Sequence, residues 1–335
     1  MPIYRLPPFR IEQVLTTLAQ TIPWSVAAYG LPDEWKRTRG EGITIGLCDT
    51  GVDLSHPDLA GQVAATEDFT GSPSGPVDMQ GHGTHCAGII AALDNDVGVV
   101  GVAPGVKLIA AKVLGDDGSG NGESVAAGIR YCRDKGANII SMSLGSPNPD
   151  PQIQDALNDV IASGCICIMA AGNDGQSGLP DSVGYPAKWQ QGVAVAAVDR
   201  AGRAAPYSSV GPEVDIAAPG TDILSCFRGG SYAKLSGTSM ATPFVAASIA
   251  LMLAYERSNG LRLASLADVK TRLAATAKKA TPTDRDPQYG WGLIQPGSLL
   301  EQIPSPVASQ AFEVGPLVVN TPAKAGDLIS FGFKL

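Results

Sequence analysis

Apolar residues gather in short runs along the chain, at 43–48 (ITIGLC), 106–114 (VKLIAAKVL), 137–144 (ANIISMSL), 165–171 (CICIMAA), 193–198 (VAVAAV) and 214–218 (VDIAA). Most lack the alternation of polar and apolar residues that marks a strand with one wet face. They therefore predict strands buried on both faces of a parallel sheet. Between them, 82–92, 122–135, 150–163, 239–256 and 266–277 have helical character. Strand alternating with helix predicts an α/β fold with a doubly wound, mostly parallel sheet and sites at the carboxyl ends of its strands. Residues 235–255 (LSGTSMATPFVAASIALMLAY) carry no charge and are long enough to cross a membrane. Gly237, Thr238, Ser239, Thr242 and Pro243 fill the first half of that stretch, so a buried core helix is the better reading.

Composition narrows the class. Of 335 residues, 44% are hydrophobic and 17% charged, against roughly 25% charged in an average soluble domain. With 40 Gly and 25 Pro the chain is turn-rich yet neither low-complexity nor collagen-like. A net charge of -8 with no clustered Lys and Arg argues against a nucleic-acid face. The first residues (MPIYRLPPFRIEQVLTTL) lack an apolar core followed by a small-residue cleavage site, so no secretory signal is expected. The cysteines at 48, 86, 132, 165, 167 and 226 form no CxxC pair. Free buried thiols in a reducing cytoplasm fit them better than disulfides.

Three motifs carry chemistry, each at a junction of elements. Asp49 opens DTG after ITIGLC, His82 lies in GHGTHCAG before a helical stretch, and Ser239 lies in SGTSMATP at the start of the buried helix. An acid, a base and a hydroxyl form a relay for nucleophilic catalysis: Ser attacks a carbonyl, His takes its proton, and Asp holds the imidazole. Helix N-termini beneath His82 and Ser239 favour a neutral base and developing negative charge. Singly, DTG also fits an aspartic protease or a plain turn, and HGTH also fits a metal site through His82 and His85. The order Asp, His, Ser within full motifs is similar to that of the subtilisin-like serine proteases, the subtilases, over about residues 19–302. The resemblance implies a sheet of about seven strands flanked by helices, and peptide-bond hydrolysis through an acyl-enzyme on Ser239, with His82 as base and Asp49 orienting it.

The same resemblance assigns further residues. Asn173 in AAGN implies an oxyanion donor working with the Ser239 N–H. Ser143, Leu144 and Gly145 imply a strand that pairs with an extended peptide substrate, and with Ala170, Ala171, Gly172 and Gly184 they wall a deep specificity pocket with Asp174 at its rim. Gly122 stands where many relatives carry an aromatic lid, which predicts an open pocket further upstream. IAALDNDVGVVGVAP at 90–104 resembles the family's calcium loop. The implied ligands are the Leu93, Val97 and Val99 carbonyls with the Asn95, Asp58 and Gln20 side chains. A weaker cation site is implied by Ala187, Trp189, Gly192, Glu213 and Asp215. Cys86, one helical turn after His82, matches cysteine-bearing members of the proteinase K type, and a mercurial or oxidation there would disturb the triad.

Both ends differ from the body. Residues 1–18 precede AQTIPW, which resembles a mature N-terminus, and YRLPPF at 4–9 resembles the short inhibitory extension of intracellular members. A Pro-Pro step spoils strand pairing and misaligns a scissile bond. The expectation is that residues 4–9 occupy the cleft and that cleavage near Leu18–Ala19 activates the enzyme. Residues 303–335 form a C-terminal extension with two β-like runs, which adds strands to the body or supports a homodimer. The leading expectation is a calcium-stabilised cytoplasmic serine endopeptidase for protein turnover, with protein or peptide substrates and neither nucleic acid nor membrane as partner. Its alternatives are a dedicated peptide-maturation protease and an inactive scaffold used for binding.

Overall fold

The apolar runs become six of the seven strands of one parallel sheet. In chain order the elements begin with β1 (Ile3–Arg5), β2 (Arg10–Leu15), α1 (Trp24–Ala28), α2 (Leu31–Glu34), β3 (Thr44–Asp49), β4 (Val63–Asp68) and α3 (His82–Ala91). There follow β5 (Lys107–Lys112), β6 (Ser119–Asn121), α4 (Gly122–Asp134), β7 (Ile139–Met142), α5 (Pro151–Ala162), β8 (Ile166–Ala170) and β9 (Val193–Val198). The chain continues with β10 (Ile216–Pro219), β11 (Ile223–Phe227), β12 (Ser231–Ser236), α6 (Thr238–Ser258), α7 (Leu266–Thr276) and α8 (Pro296–Glu301). This computed structural model describes residues 2–16 and 19–301, which fall in one compact unit. The tail at 303–335, and Leu18 of the expected cleavage step, lie outside the described residues.

The sheet order is β10-β9-β8-β7-β3-β5-β4, and every pair is parallel. Successive residues of its strands face opposite cores, as the strand period requires. Val193, Val195 and Ala197 join the core beneath α3 and α6, while Ala194, Ala196 and Val198 join the one beneath α4 and α5. This explains why the runs are apolar throughout. The strand the apolar pattern missed, β4, is an edge strand (VAATED) with partly exposed positions. The uncharged stretch becomes α6, a core helix almost wholly buried inside the protein. Chain order reverses beside β3, so a crevice opens at the carboxyl ends of β3 and β7.

A smaller sheet, β11-β12-β2, lies beside α3. Its hairpin turns at Gly229 and Gly230, both with positive φ (72° and 66°). His85 on α3 fastens this sheet to the body through Nε2, which donates to the Ile223 and Ala233 carbonyls at 3.0 Å each. Burial pushes its pKa down to about 3, so the folded protein holds it neutral. Unfolded, it titrates near its ordinary value. Between those two values the unfolded chain binds the extra proton, and stability falls as pH drops, by about 1.4 kcal/mol per pH unit. In a Ser239→Ala background, which prevents autolysis, Tm should fall from pH 6.5 to 5. His85→Gln should flatten that slope, and an unchanged slope would contradict the assignment.

Candidate active site

The strands and helices above bring Asp49, His82 and Ser239 to one place. Asp49 is the last residue of β3, His82 the first of α3 and Ser239 the second of α6. Close approach of these segments depends on glycine. A Cβ at Gly83 would lie 2.1 Å from the Gly51 carbonyl oxygen, so a side chain there would push α3 off the loop that follows Asp49. His82 Nδ1 donates to Asp49 Oδ1 at 2.7 Å, with both side chains buried. The same Asp49 oxygen accepts from the Thr50 N–H at 2.8 Å. Nδ1 is thereby committed as a donor, which leaves Nε2 as the basic nitrogen. Among the described residues, neither His82 Nε2 nor Ser239 Oγ makes a hydrogen bond.

Asn173 follows β8 and is fixed from the other side. Its Oδ1 accepts from the Thr238 N–H at 2.9 Å and the Thr238 hydroxyl at 2.8 Å. That orients Nδ2 as a donor toward the crevice, where it meets the Pro8 carbonyl at 2.8 Å. The Ser239 N–H lies in the first turn of α6, where a helix offers no internal acceptor.

Pro243 explains two further residues. It has no N–H to give the carbonyl four residues back, that of Ser239. The Ser143 hydroxyl takes up that carbonyl at 2.9 Å and Cys86 Sγ approaches it at 3.4 Å. Ser143 thus holds the turn that carries Ser239. Cys86 Sγ also lies 3.8 Å from His82 Nδ1, as expected from the spacing. Burial and the Asp49 carboxylate push its thiol well above the ordinary value, so it packs as a neutral group and does not rival Ser239.

Three supporting residues escaped the sequence reading. Buried Asp78 accepts from the Thr50 hydroxyl and the Gly81 N–H through Oδ1, and from the Thr84 N–H and hydroxyl through Oδ2. It ties the loop after Asp49 to the first turn of α3. The Thr50 hydroxyl completes the link by accepting from the Gly83 N–H at 2.9 Å. Lys112, fully buried opposite Asp49 in the β3–β5 register, donates to the Thr50 and Val77 carbonyls and to Asp116. The acid four residues before His82 in DMQGHGTH was the legible signal for Asp78. Nothing local marks Lys112.

The expected pocket is present, with a volume of about 640 Å³, and Gly145, Ala170, Ala171, Gly172, Asp174 and Gly184 line it. Ser143 and Leu144 lie buried outside that lining. Across the mouth runs the chain's own N-terminal segment. β1 pairs antiparallel with β6, and Arg5 exchanges two backbone hydrogen bonds with Gly145, at 3.1 and 3.0 Å. Pro7 and Pro8 end that pairing, the Pro8 carbonyl reaches Asn173, and the Phe9 ring lies 5.1 Å from the His82 ring. Beside Gly122, where an open pocket is expected, the N-terminal segment passes as β1, with Ile3 opposite Asn121. Tyr4 is fully buried, beside Asp150, and a Cβ on Gly122 would lie 2.0 Å from Asp150 Oδ2.

The residues expected to bind calcium come together around Asp58 and offer oxygens of the kind a hard cation takes. Asp58 is fully buried; its Oδ2 accepts from the Val99 N–H and its Oδ1 from Asn95 Nδ2, and burial raises its pKa. Gln20 Oε1 accepts from the Asn95 and Asp96 N–H groups. Among the described residues, no hydrogen bond takes the Leu93, Val97 or Val99 carbonyl. One carboxylate, two amide side chains and three carbonyls on one loop are the donor set such an ion requires. At the weaker cation site expected from the sequence, Asp215 is paired with basic side chains. Asp215 Oδ1 lies 3.2 Å from Arg285 and Oδ2 lies 3.1 Å from Lys270. Two of the protein's own cations thus face the carboxylate expected to share an ion with Ala187, Trp189, Gly192 and Glu213.

Comparison with known proteins agrees with this geometry. The subtilase family profile matches residues 40–292. Subtilisin DY of Bacillus licheniformis is 40% identical over 282 residues, covering 82% of this chain and 97% of that protein. The intracellular serine protease of Paenibacillus polymyxa is 43% identical over 236 residues, 69% of this chain and 72% of that one. Subtilisin E of Bacillus subtilis (strain 168) is 39% identical over 285 residues, 84% and 72% of the two chains.

Proposed function

The chain belongs to the subtilase family and is a subtilisin-like serine endopeptidase, and on that premise we propose that Asp49, His82, Ser239 and Asn173 carry its reaction and that residues 4–9 hold it inactive until they are cut away. Ser239 Oγ attacks the carbonyl carbon of the scissile bond while His82 Nε2 takes its proton. Asp49 keeps Nδ1–H directed and faces the imidazolium that forms. The tetrahedral oxyanion receives hydrogen bonds from Asn173 Nδ2 and the Ser239 N–H. His82 then protonates the leaving amine, and water repeats the sequence on the ester to free Ser239.

One observation carries the reading: the Pro8 carbonyl rests on Asn173 Nδ2 at 2.8 Å while Phe9 covers His82. A peptide carbonyl thus occupies the donor meant for a substrate's oxyanion, on a chain whose Pro7–Pro8 step breaks the strand pairing a substrate would continue. Incubation of the wild type should remove the N-terminal segment near residue 18, with activity rising at least about tenfold as the competing segment leaves. Ser239→Ala should keep its N-terminus intact. N-terminal sequencing beside an activity time course reads both, and an untrimmed yet fully active wild type overturns the inhibitory role.

We assign the enzyme to intracellular protein turnover in the cytoplasm. Its support is a relative named as an intracellular serine protease and six cysteines that are all free and buried. Calcium would be held by the Leu93, Val97 and Val99 carbonyls with Gln20, Asp58 and Asn95, where it would pin the 93–99 loop and supply no step of the chemistry. At a free ion level 100 times Kd it adds roughly 2.7 kcal/mol of stability. Chelation should lower Tm and hasten autolysis in the wild type and do neither in Asp58→Asn. Equal behaviour of the wild type with and without chelator would remove the site.

A further inference from the structure

Among the described residues, Lys112 is the one Lys or Arg that is buried, and it is buried completely. It ends β5 directly opposite Asp49, the end of β3. An ammonium taken out of water is costly unless every proton finds an acceptor and a negative charge stands near. Here all three protons are used. Nζ donates to the Thr50 carbonyl at 2.8 Å, the Val77 carbonyl at 3.0 Å and Asp116 Oδ1 at 2.7 Å. Asp116 is partly exposed and also accepts from the Ser74 hydroxyl, and its bond to Lys112 holds its carboxyl below the ordinary range. The two carbonyls say more. Thr50 follows Asp49 and Val77 precedes Asp78, and both of those acids are buried. The ammonium therefore stands between the two loops that carry them.

Each loop sets one half of the Asp49–His82 couple. Thr50 gives its N–H to Asp49 Oδ1 and takes the Gly83 N–H on its hydroxyl. Asp78 takes the Gly81 and Thr84 N–H groups around the first turn of α3. The end of β5 holds Asp49 by its backbone too, since the Val113 and Leu114 N–H groups donate to the Asp49 carbonyl at 2.9 and 3.1 Å. Charge points the same way. Asp49 Oδ2 is buried and takes no hydrogen bond among the described residues, and the imidazole beside Asp49 becomes cationic only during the reaction. Stability alone does not call for a charge at 112, because a well-packed apolar residue in place of a buried ion is often neutral or stabilising. We propose that Lys112 is a positioning residue: its buried ammonium fixes the turn after Asp49 against the loop before His82 and supplies a standing positive charge beneath the Asp49 carboxylate. It acts through Asp49 and His82 and not on the reacting atoms.

This inference rests on the reading that Asp49, His82 and Ser239 carry the reaction, and its test keeps the two apart. Wild type, Lys112→Met and Asp116→Ala are made as full chains and trimmed by bead-bound wild type, which is then removed. Fluorophosphonate titration counts the chains that label at Ser239, and kcat and KM on a peptide substrate are expressed per labelled chain. Lys112→Met should lower kcat about 10²-fold, the effect of a small misplacement of catalytic groups, with KM changed less than about threefold. The low-field proton resonance of His82 Nδ1–H, which reports its bond to Asp49, should shift or broaden in step. Asp116→Ala changes a partly exposed residue and leaves Nζ its two carbonyls, so it should fold and lose about tenfold in kcat. A Lys112→Met chain that melts lower yet keeps kcat and that resonance has lost structure only, and overturns the positioning role. Should Lys112→Met not fold, Asp116→Ala decides on the same two readouts, and wild-type values there overturn it. A trimmed wild type that takes no label on Ser239 overturns the triad reading, and this inference with it.

Discussion

Ser239→Ala should lower kcat by about six orders of magnitude while Tm stays within a degree or two of the wild type. The size follows from the arrangement. Only Oγ is removed, and among the described residues that atom makes no hydrogen bond, so the folded state loses little. The reaction loses its nucleophile, and no neighbour replaces it. The Cys86 thiol is the closest alternative, yet burial and Asp49 keep it protonated, and it lies toward His82 Nδ1, away from the basic nitrogen. Stopped-flow or endpoint assays on a denatured protein substrate, with Tm beside them, check both halves. The variant should also keep its N-terminal segment.

Asn173→Ala should cost about 10²–10³ in kcat with KM little changed. Nδ2 is aimed by two hydrogen bonds from Thr238 to Oδ1, so it meets a developing oxyanion without reorganisation. A donor of that kind serves the tetrahedral state more than the ground state, which places the loss in kcat. The variant has a structural cost as well. It leaves the buried Thr238 N–H and hydroxyl without their acceptor, about 1–3 kcal/mol, which is read in Tm. Loss of the Nδ2 bond to Pro8 also frees one fastening of the N-terminal segment. Kinetics on trimmed enzyme therefore separates the catalytic loss from any change in self-restraint.

The fold was largely legible because its strands are buried on both faces. Runs such as VAVAAV at 193–198 admit almost no other reading once helical stretches alternate with them. The proposed catalytic residues were legible because three short motifs each lie at a junction of elements: Asp49 ends β3, while His82 and Ser239 begin α3 and α6. What escaped lay at sheet edges or depended on long-range pairing. β4 (VAATED) sits at the sheet edge, where partial exposure dilutes an apolar signal. The β11–β12 hairpin turns at Gly229–Gly230, a local turn signal with a strand on either side. Asp215 is neutralised by Lys270 and Arg285, far along the chain, and no local pattern announces such pairing. The N-terminal segment was readable as an odd end with a proline step. Its partners Gly145, Asn173 and β12 are brought to it only by the fold.

The central claim is that Ser239 is the nucleophile and that the N-terminal segment shields it. Labelling by a fluorophosphonate, followed by intact mass and peptide mass spectrometry during self-incubation, tests both parts at once. The account predicts one adduct per chain, on the peptide containing Ser239, appearing in step with loss of the N-terminal residues and absent from Ser239→Ala. A chain that has lost its N-terminal segment and still carries no adduct on Ser239, or one labelled at full rate with the segment intact, would contradict it.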